Sequence, residues 1–590
     1  MQRRRNTQPS FFSNGASILV SRAVLASSLV LLAGCHQGGV FEGNPFATSD
    51  SDLRSTALSR LREIQPLEST AGAAVTGAKA ESADEATLRA NVLAMRESFE
   101  KLPSMEVSLE QARQSALSHN LDLQVALIDP AIAQENVTIE ANRFNILFDL
   151  RATYEDGRQA TGSRVSTQES RTFRLTPGFK VPMRTGGEIS IDPFISRVEQ
   201  DNEFAQVPEF YNTGATVSVS QPLLRNAGRW VNLASLRIAN YESQGSLART
   251  KLEAINQLTE VERSYWQLYA ARAALGVRAQ QLELANQQLD TARRRVEQGA
   301  SPQVEVDRAR AGVAQRVEAL ILAQNDVLDR QRGLKASMNT PGLTLDTPTA
   351  IVPSTLPDPV ELVLDRSVLT QAAMQNRMEL LDLEMQLAAD AARVLLDRNA
   401  ALPDLRFLAS YGASGLDEDF GEALDNASDR QSREWSVGAS LSMPLDNEAA
   451  RARLRASLLR HMQRGASKQS RELAIQRQVL RACDNLETAW QRILATRLAS
   501  LAAGTALASE QRQFDIGKAT STNVLDAAAN LASAQLSEIQ SLTDYQIAMV
   551  ELASATGTLL GQAKVDLTQQ LSDVKADASK PDPKEPGGNE

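Results

Sequence analysis

Most of this 590-residue chain is written twice, and a duplicated order of local signals limits the fold more than any single motif. Copy one runs from Asn120-Leu121-Asp122-Leu123 through a helical pattern to Asp149-Leu150-Arg151, then to Ser220-Gln221-Pro222-Leu223. Copy two runs from Arg377-Met378-Glu379-Leu380 to Leu402-Pro403-Asp404-Leu405-Arg406, then to Ser442-Met443-Pro444-Leu445. Each continues into a long helical stretch, marked by Trp266-Gln267 and Trp490-Gln491. Each stretch breaks at a glycine, Gly299 or Gly517, and then resumes. Pro222 lies 77 positions before Gly299, and Pro444 lies 73 before Gly517, so the helical hairpins match in length. The strand regions do not match. Asp149 to Pro222 takes 73 positions and Asp404 to Pro444 takes 40, leaving copy one 33 longer.

The long helices carry a seven-residue period. Leu268, Leu275, Leu282, Leu289 and Val296 recur at that step, with Ala271, Ala285 and Ala292 at the complementary small position. The returning helix has Val306, Val313, Leu320, Val327 and Leu334. Copy two has Val479, Leu486, Ile493, Leu507 and Phe514, interrupted by Ser500. This is a coiled-coil seam. A helix of ~70 residues at 1.5 Å per residue reaches ~105 Å, a span no globular domain needs.

Between the helices the pattern changes to period two. Phe148, Leu150, Ala152 and Tyr154 alternate with Asp149, Arg151, Thr153 and Glu155. Ala215, Val217 and Val219, then Leu405, Phe407, Ala409 and Tyr411, then Trp435, Val437, Ala439 and Leu441, do the same. One apolar and one polar face suits either a membrane barrel with a wet lumen or an amphipathic sheet on a soluble core. Four such strands cannot close a barrel, so a barrel needs partner chains. The extra segment of copy one is expected to form a hairpin, Thr172–Val181 with Glu188–Ser196, turning at Thr185-Gly186-Gly187. Pro177 and Pro193 weaken it as a fully paired ladder; it either lengthens the barrel mouth outside the cell, the favoured reading, or adds strands to the wall.

Arg3, Arg4, Arg5 and Arg22 precede an apolar run, Ala23 to Leu32, that is too short to span a bilayer. It ends in Leu32-Ala33-Gly34-Cys35, which resembles a lipobox whose cysteine is acylated and becomes the first mature residue. The domain map is therefore a signal peptide at 1–34 and a lipidated tether at 35–106. Repeat 1 follows at 107–338, with strands within 146–222 and a helical hairpin at 230–338. A proline-rich linker at 339–368 leads to repeat 2 at 369–562, with strands within 404–444 and a hairpin at 450–560. A disordered tail is expected at 563–590.

Composition removes several function classes. A net charge of −10 argues against a nucleic-acid partner. Three histidines far apart and two cysteines, Cys35 and Cys483, build neither a zinc site nor a histidine-based triad. No enzyme and no metal or other cofactor is expected beyond the lipid on Cys35. Cys483 reads as a buried small helix residue.

These pieces, in order and repeated, resemble the outer-membrane efflux protein family over roughly residues 107–562. The carriers are Gln221-Pro222-Leu223-Leu224, Met443-Pro444-Leu445, Tyr265-Trp266-Gln267-Leu268, and the tips Gln298-Gly299-Ala300-Ser301 and Phe514-Asp515-Ile516-Gly517-Lys518-Ala519-Thr520. The resemblance implies a mainly α fold with a transmembrane β-barrel, in which duplicated helix–strand–coiled-coil hairpin units form a trimeric α/β barrel-tunnel. It implies a homotrimer whose protomers each add four strands to one barrel of about 12 strands in the outer membrane. The implied function is a passive exit duct, from periplasm to exterior, of a tripartite efflux or type I secretion system. The partners would be a periplasmic adaptor and, through it, an inner-membrane pump. A second reading, without a pore, is a periplasmic coiled-coil tethering lipoprotein.

By the same resemblance, Gly299, Ala300, Ser301, Gly517, Lys518, Ala519 and Thr520 are the adaptor-docking tips. Asp526 sits where family members place an inward-facing acid at the closed aperture. Asn523 stands where a second acid often lies. Glu305 matches an acid that helps hold the closed state, but the position for its partner arginine in the second tip is occupied by Ala519. Phe514 matches an aromatic of that network and also falls on the seven-residue step.

Overall fold

In a computed structural model the described residues are 101–158, 169–201, 207–430 and 432–563. The expectations for the signal peptide, the acylated Cys35, most of the tether and all of the tail but Ala563, which is buried against the helices, lie outside them. Strand β1 (Ser104–Val107) opens the described chain, followed by α1 (Leu109–His119) and α2 (Leu121–Asn142). Ser108 caps α1 with a reciprocal Ser–Gln111 box, and Asn120 caps α2 by accepting from the Leu123 amide at 3.0 Å. Four strands come next: β2 (Leu147–Arg158), β3 (Glu169–Pro182), β4 (Glu188–Gln200) and β5 (Glu209–Pro222). A short α3 (Arg229–Asn232) leads into α4 (Ala234–Glu297), which returns as α5 (Val304–Met338).

The linker contains β6 (Ala350–Pro353), which pairs in parallel with β1, so the expected boundary at 106 cuts through a strand. Repeat 2 follows with α6 (Arg366–Asn376), α7 (Met378–Ala400), β7 (Asp404–Asp417), α8 (Phe420–Ser428), β8 (Ser432–Ser442), α9 (Glu448–Asp515), α10 (Ser521–Thr556) and α11 (Leu559–Gln562).

The seven-residue seam is the core of each hairpin. Leu282, Ala285, Leu289 and Ala292 of α4 pack on Val306, Ala309, Val313, Val317 and Leu320 of α5. Val479, Leu486 and Ile493 of α9 pack with Tyr545, Ala548 and Leu552 of α10. Helix α4 has 64 residues and α9 has 68, about 96 and 102 Å long. Tyr265 fastens the linker to this frame. Its buried hydroxyl donates to the Val107 carbonyl at 3.1 Å and accepts from the Thr355 amide at 2.9 Å. Burying a phenol that both donates and accepts avoids the cost of an unpaired polar group. Cys483 lies fully buried in the α9 seam, where desolvation pushes its thiol pKa up and disfavours the thiolate. Among the described residues no helix is long and apolar enough to cross a membrane.

The sheet corrects the strand count. Among the described residues its order is β2-β3-β4-β5-β7-β8, six strands rather than four, all neighbours antiparallel. The expected hairpin exists, as β3 and β4, but it lies inside the sheet between β2 and β5 instead of extending the mouth. Pro177 and Pro193 sit opposite one another in a gap of the β3–β4 ladder, between the pairs Leu175↔Ile195 and Phe179↔Ile191. Their missing N–H groups thus fall at one shared interruption, while Pro177 still faces Leu150 and Pro193 faces Ala215 on the outer sides.

Candidate functional site

Strand register sorts the six-stranded sheet into two chemically opposite faces. One row of directly opposed residues is Phe148, Phe179, Ile191, Val217, Tyr411 and Trp435. All six are exposed, Trp435 by 73%. The adjacent row, one residue along and on the opposite face, is Leu147, Lys180, Ser190, Ser218, Ser410 and Ser436, polar in every strand but β2. Its hydroxyls pair across strands, Ser190 with Ser218 at 2.6 Å and Ser410 with Ser436 at 2.8 Å. Strands of 11 to 14 residues with one face apolar from edge to edge and the other polar match a lipid-facing wall around water. Among the described residues the outer strands β2 and β8 have one neighbour each, so both edges carry unpaired backbone groups.

The strand ends adjoining α2, α4, α7 and α9 lie at one end of the sheet. At that end the β3–β4 turn is braced against the start of α3. The Gly228 amide donates to the Thr185 carbonyl at 2.9 Å, and Thr185 Oγ1 donates to Gln221 Oε1 at 3.0 Å. At the other end α8, between β7 and β8, lies on the apolar face. Thr213 Oγ1 donates to the Ala423 carbonyl at 3.1 Å, and Phe420 meets Tyr211 edge-on, ring centroids 6.0 Å apart.

The two hairpin tips are built alike. Gly299 and Gly517 have φ of +72° and +76°, the left-handed conformation that ends each long helix without a Cβ penalty. In the first tip the Ala300 amide donates to the Arg295 carbonyl at 2.8 Å. In the second the Lys518 amide donates to the Gln513 carbonyl at 2.8 Å. Gly299, Ala300, Gly517, Lys518 and Thr520 are exposed, while Ser301 and Ala519 are half-buried. Thr520 caps α10, accepting from the Asn523 amide and donating to Asn523 Oδ1 at 2.5 Å. Asn523 therefore completes a helix cap where an acid was looked for.

The network expected at the aperture is wired differently. Glu305 pairs with Arg308 one turn along its own helix at 2.9 Å, not with the second tip. The arginine missing from position 519 has a counterpart that sequence reasoning overlooked. Arg295, in the last turn of α4, holds its guanidinium 3.8 Å from the centroid of the Phe514 ring. It also donates to the Phe514 carbonyl at 3.1 Å. Phe514 is buried among Leu507, Val524 and Ala528, with Leu284 of α4 against the cluster. Phe514 is thus both a seam residue and one point where the two hairpins are fastened together. Asp526 is exposed on α10. Arg316 of α5 donates to the Leu525 carbonyl at 3.3 Å and feels the Asp526 charge, although burial is the larger influence and lowers the Arg316 pKa.

Comparison with known proteins agrees with this geometry. A sequence model described as outer membrane efflux protein matches residues 188–340 and 369–558. The chain is 22% identical over 367 residues to the outer membrane protein TolC of Vibrio cholerae, covering 61% of this chain and 80% of that protein. Its fold matches the outer-membrane channel OprN with a TM-score of 0.59 at 19% identity, over 76% of this chain and 90% of that one. It also matches the Campylobacter jejuni CmeC outer membrane channel with a TM-score of 0.58 at 14% identity, over 80% and 89%. With both repeats matched in order, this chain belongs to the outer membrane efflux protein family.

Proposed function

We propose that three copies of the chain form the outer-membrane exit duct of a tripartite export system, anchored by a lipid on Cys35. The observation that carries this reading is the sheet: one face apolar across six strands, the other hydroxyl-rich, and both edges open. An open edge in hydrocarbon leaves backbone N–H and C=O groups without partners, at several kcal/mol each, so a lipid-facing sheet must close on copies of itself. The helices share this incompleteness. On α2, Leu121, Val125, Ile128, Ile132 and Ile139 form an exposed stripe at helical spacing, and α9 exposes Leu473, Leu480, Leu494 and Leu501 at multiples of seven. Neighbouring copies would cover both stripes while the barrel closes.

In the assembled duct the hairpins reach about 100 Å from the membrane to the tips. Gly299, Ala300, Ser301, Gly517, Lys518, Ala519 and Thr520 present the surface for a periplasmic adaptor, which links the duct to an inner-membrane pump. The duct is passive, with cargo chosen by the pump. A coiled-coil tether would have no use for an apolar sheet face with two open edges. Purified protein in a planar bilayer tests the reading. Discrete single-channel conductance from a particle with the mass of three copies is expected. Trimers without conductance would leave the tether, and the duct would be abandoned.

A further inference from the structure

We infer that the wall of this duct is an 18-stranded barrel, half again as wide as one built from four strands per chain. The inference rests on the trimeric reading above and adds a bore to it. Three copies of a six-stranded sheet give 3 × 6 = 18 strands.

Two independent features place the additional pair in the wall. First, β3 and β4 continue the apolar face without a break. Phe179 and Ile191 stand between Phe148 of β2 and Val217 of β5 in the same row, while Lys180 and Ser190 continue the polar row on the other face. A hairpin projecting into water outside the cell would have no reason to keep Phe173, Leu175, Phe179, Ile189, Ile191 and Ile195 on the lipid side. Second, comparison with repeat 2 isolates the same pair: Asp149-Leu150-Arg151 of β2 matches Asp404-Leu405-Arg406 of β7, and Pro222 at the end of β5 matches Pro444 after β8, so β3 and β4 are the two strands that repeat 2 lacks.

Closure is consistent in direction. Strand β2 leads away from the helical end and β8 leads back to it, so β8 of one copy meets β2 of the next antiparallel, as every pair within the sheet does. With strands about 4.8 Å apart and tilted about 40°, 18 strands enclose a backbone diameter of about 36 Å, against about 24 Å for 12. The bracing of the β3–β4 turn on Gly228 and Gln221 fixes this width where the barrel meets the helices. The barrel is therefore not the narrow part of the path, and cargo that clears the tips meets no second sieve in the membrane.

The test measures bore and copy number separately. Ser218→Cys places a thiol on the polar face, toward the helical end of β5, in a Cys483→Ala background. Full-length protein in liposomes is labelled from outside with maleimide-polyethylene glycols of graded size. It is compared with the same variant lacking residues 169–200, which leaves β2 free to pair with β5 antiparallel. The expected result is a size cut-off about 1.5-fold larger in diameter for the complete chain, with native mass giving three copies of each. Equal cut-offs in two trimers would overturn the wide barrel while sparing the duct. Any other copy number for the complete chain would overturn the trimeric reading and the strand total with it. Should the shortened chain fail to assemble, the pair Ser190→Cys and Ser218→Cys decides in the complete chain. A disulfide within one chain is expected on oxidation, and its absence would put β4 outside the wall.

Discussion

Arg295→Ala should loosen the tips of the proposed duct and favour an open state. The guanidinium lies 3.8 Å from the Phe514 ring centroid and bonds the Phe514 carbonyl at 3.1 Å, joining the tip of the first hairpin to that of the second. A cation over an aromatic face contributes about 0.5–1 kcal/mol at a partly exposed site. The hydrogen bond adds little more on its own. The same carbonyl also accepts from the Gly517 amide at 3.0 Å and is not orphaned when the arginine goes. About 1 kcal/mol is therefore lost per chain, and about 3 kcal/mol if three tips move together, a shift of roughly a hundredfold toward the open state. Open probability of single channels at fixed voltage reads this directly. Arg294→Ala is the control, because Arg294 reaches only Thr291 on its own helix. Arg295→Lys should recover part of the effect, since it keeps the charge and loses the planar fork. Unchanged open probability in an intact Arg295→Ala trimer would refute the link between this contact and gating.

Asp526→Asn should lower cation preference in a salt gradient, by an amount limited by Arg316 nearby. An identical reversal potential would mean that Asp526 does not face the lumen. Gly517→Ala and Gly299→Ala should each cost about 1 kcal/mol, the left-handed penalty for a residue with a Cβ, and lower the melting temperature. No loss in either would show that the tips relax into another turn. Cys35→Ser should abolish incorporation of labelled palmitate while trimers still form in reduced yield, and label on the variant would place the acyl chain elsewhere.

The helical half of the fold was legible because a seam repeats its demand every seven residues. Val306, Val313, Leu320, Val327 and Leu334 are all buried as the period required. The additional hairpin was legible as a hairpin but not as wall. Alternation is the same for a strand in a barrel and one above it, and Pro177 and Pro193 argued against a ladder. Only register reveals that both prolines share one gap. Helix α8 had a signal that went unused: Asp419 caps it, with Phe420, Ala423, Leu424 and Ala427 at helical spacing behind. Arg295 had none, since three arginines stand in a row at 293–295 and nothing local selects the one that reaches Phe514.

The pairing of β5 with β7 joins strands from different repeats, Pro222 opposite Arg406, across the whole first hairpin and the linker. The parallel β1–β6 pair likewise awaits residues about 250 positions downstream of its first strand. Contacts this distant in sequence form late, after loops of great length have been closed. During synthesis, then, repeat 1 has strands but not the partner that completes its sheet, and its Phe148–Val217 row is apolar with no membrane yet around it. A chain stopped before repeat 2 would carry the stickiest surface of the protein and no means of covering it. Safe passage to the membrane is therefore a property of the complete duplicated chain, and truncation should give aggregates and proteolytic fragments rather than half-channels.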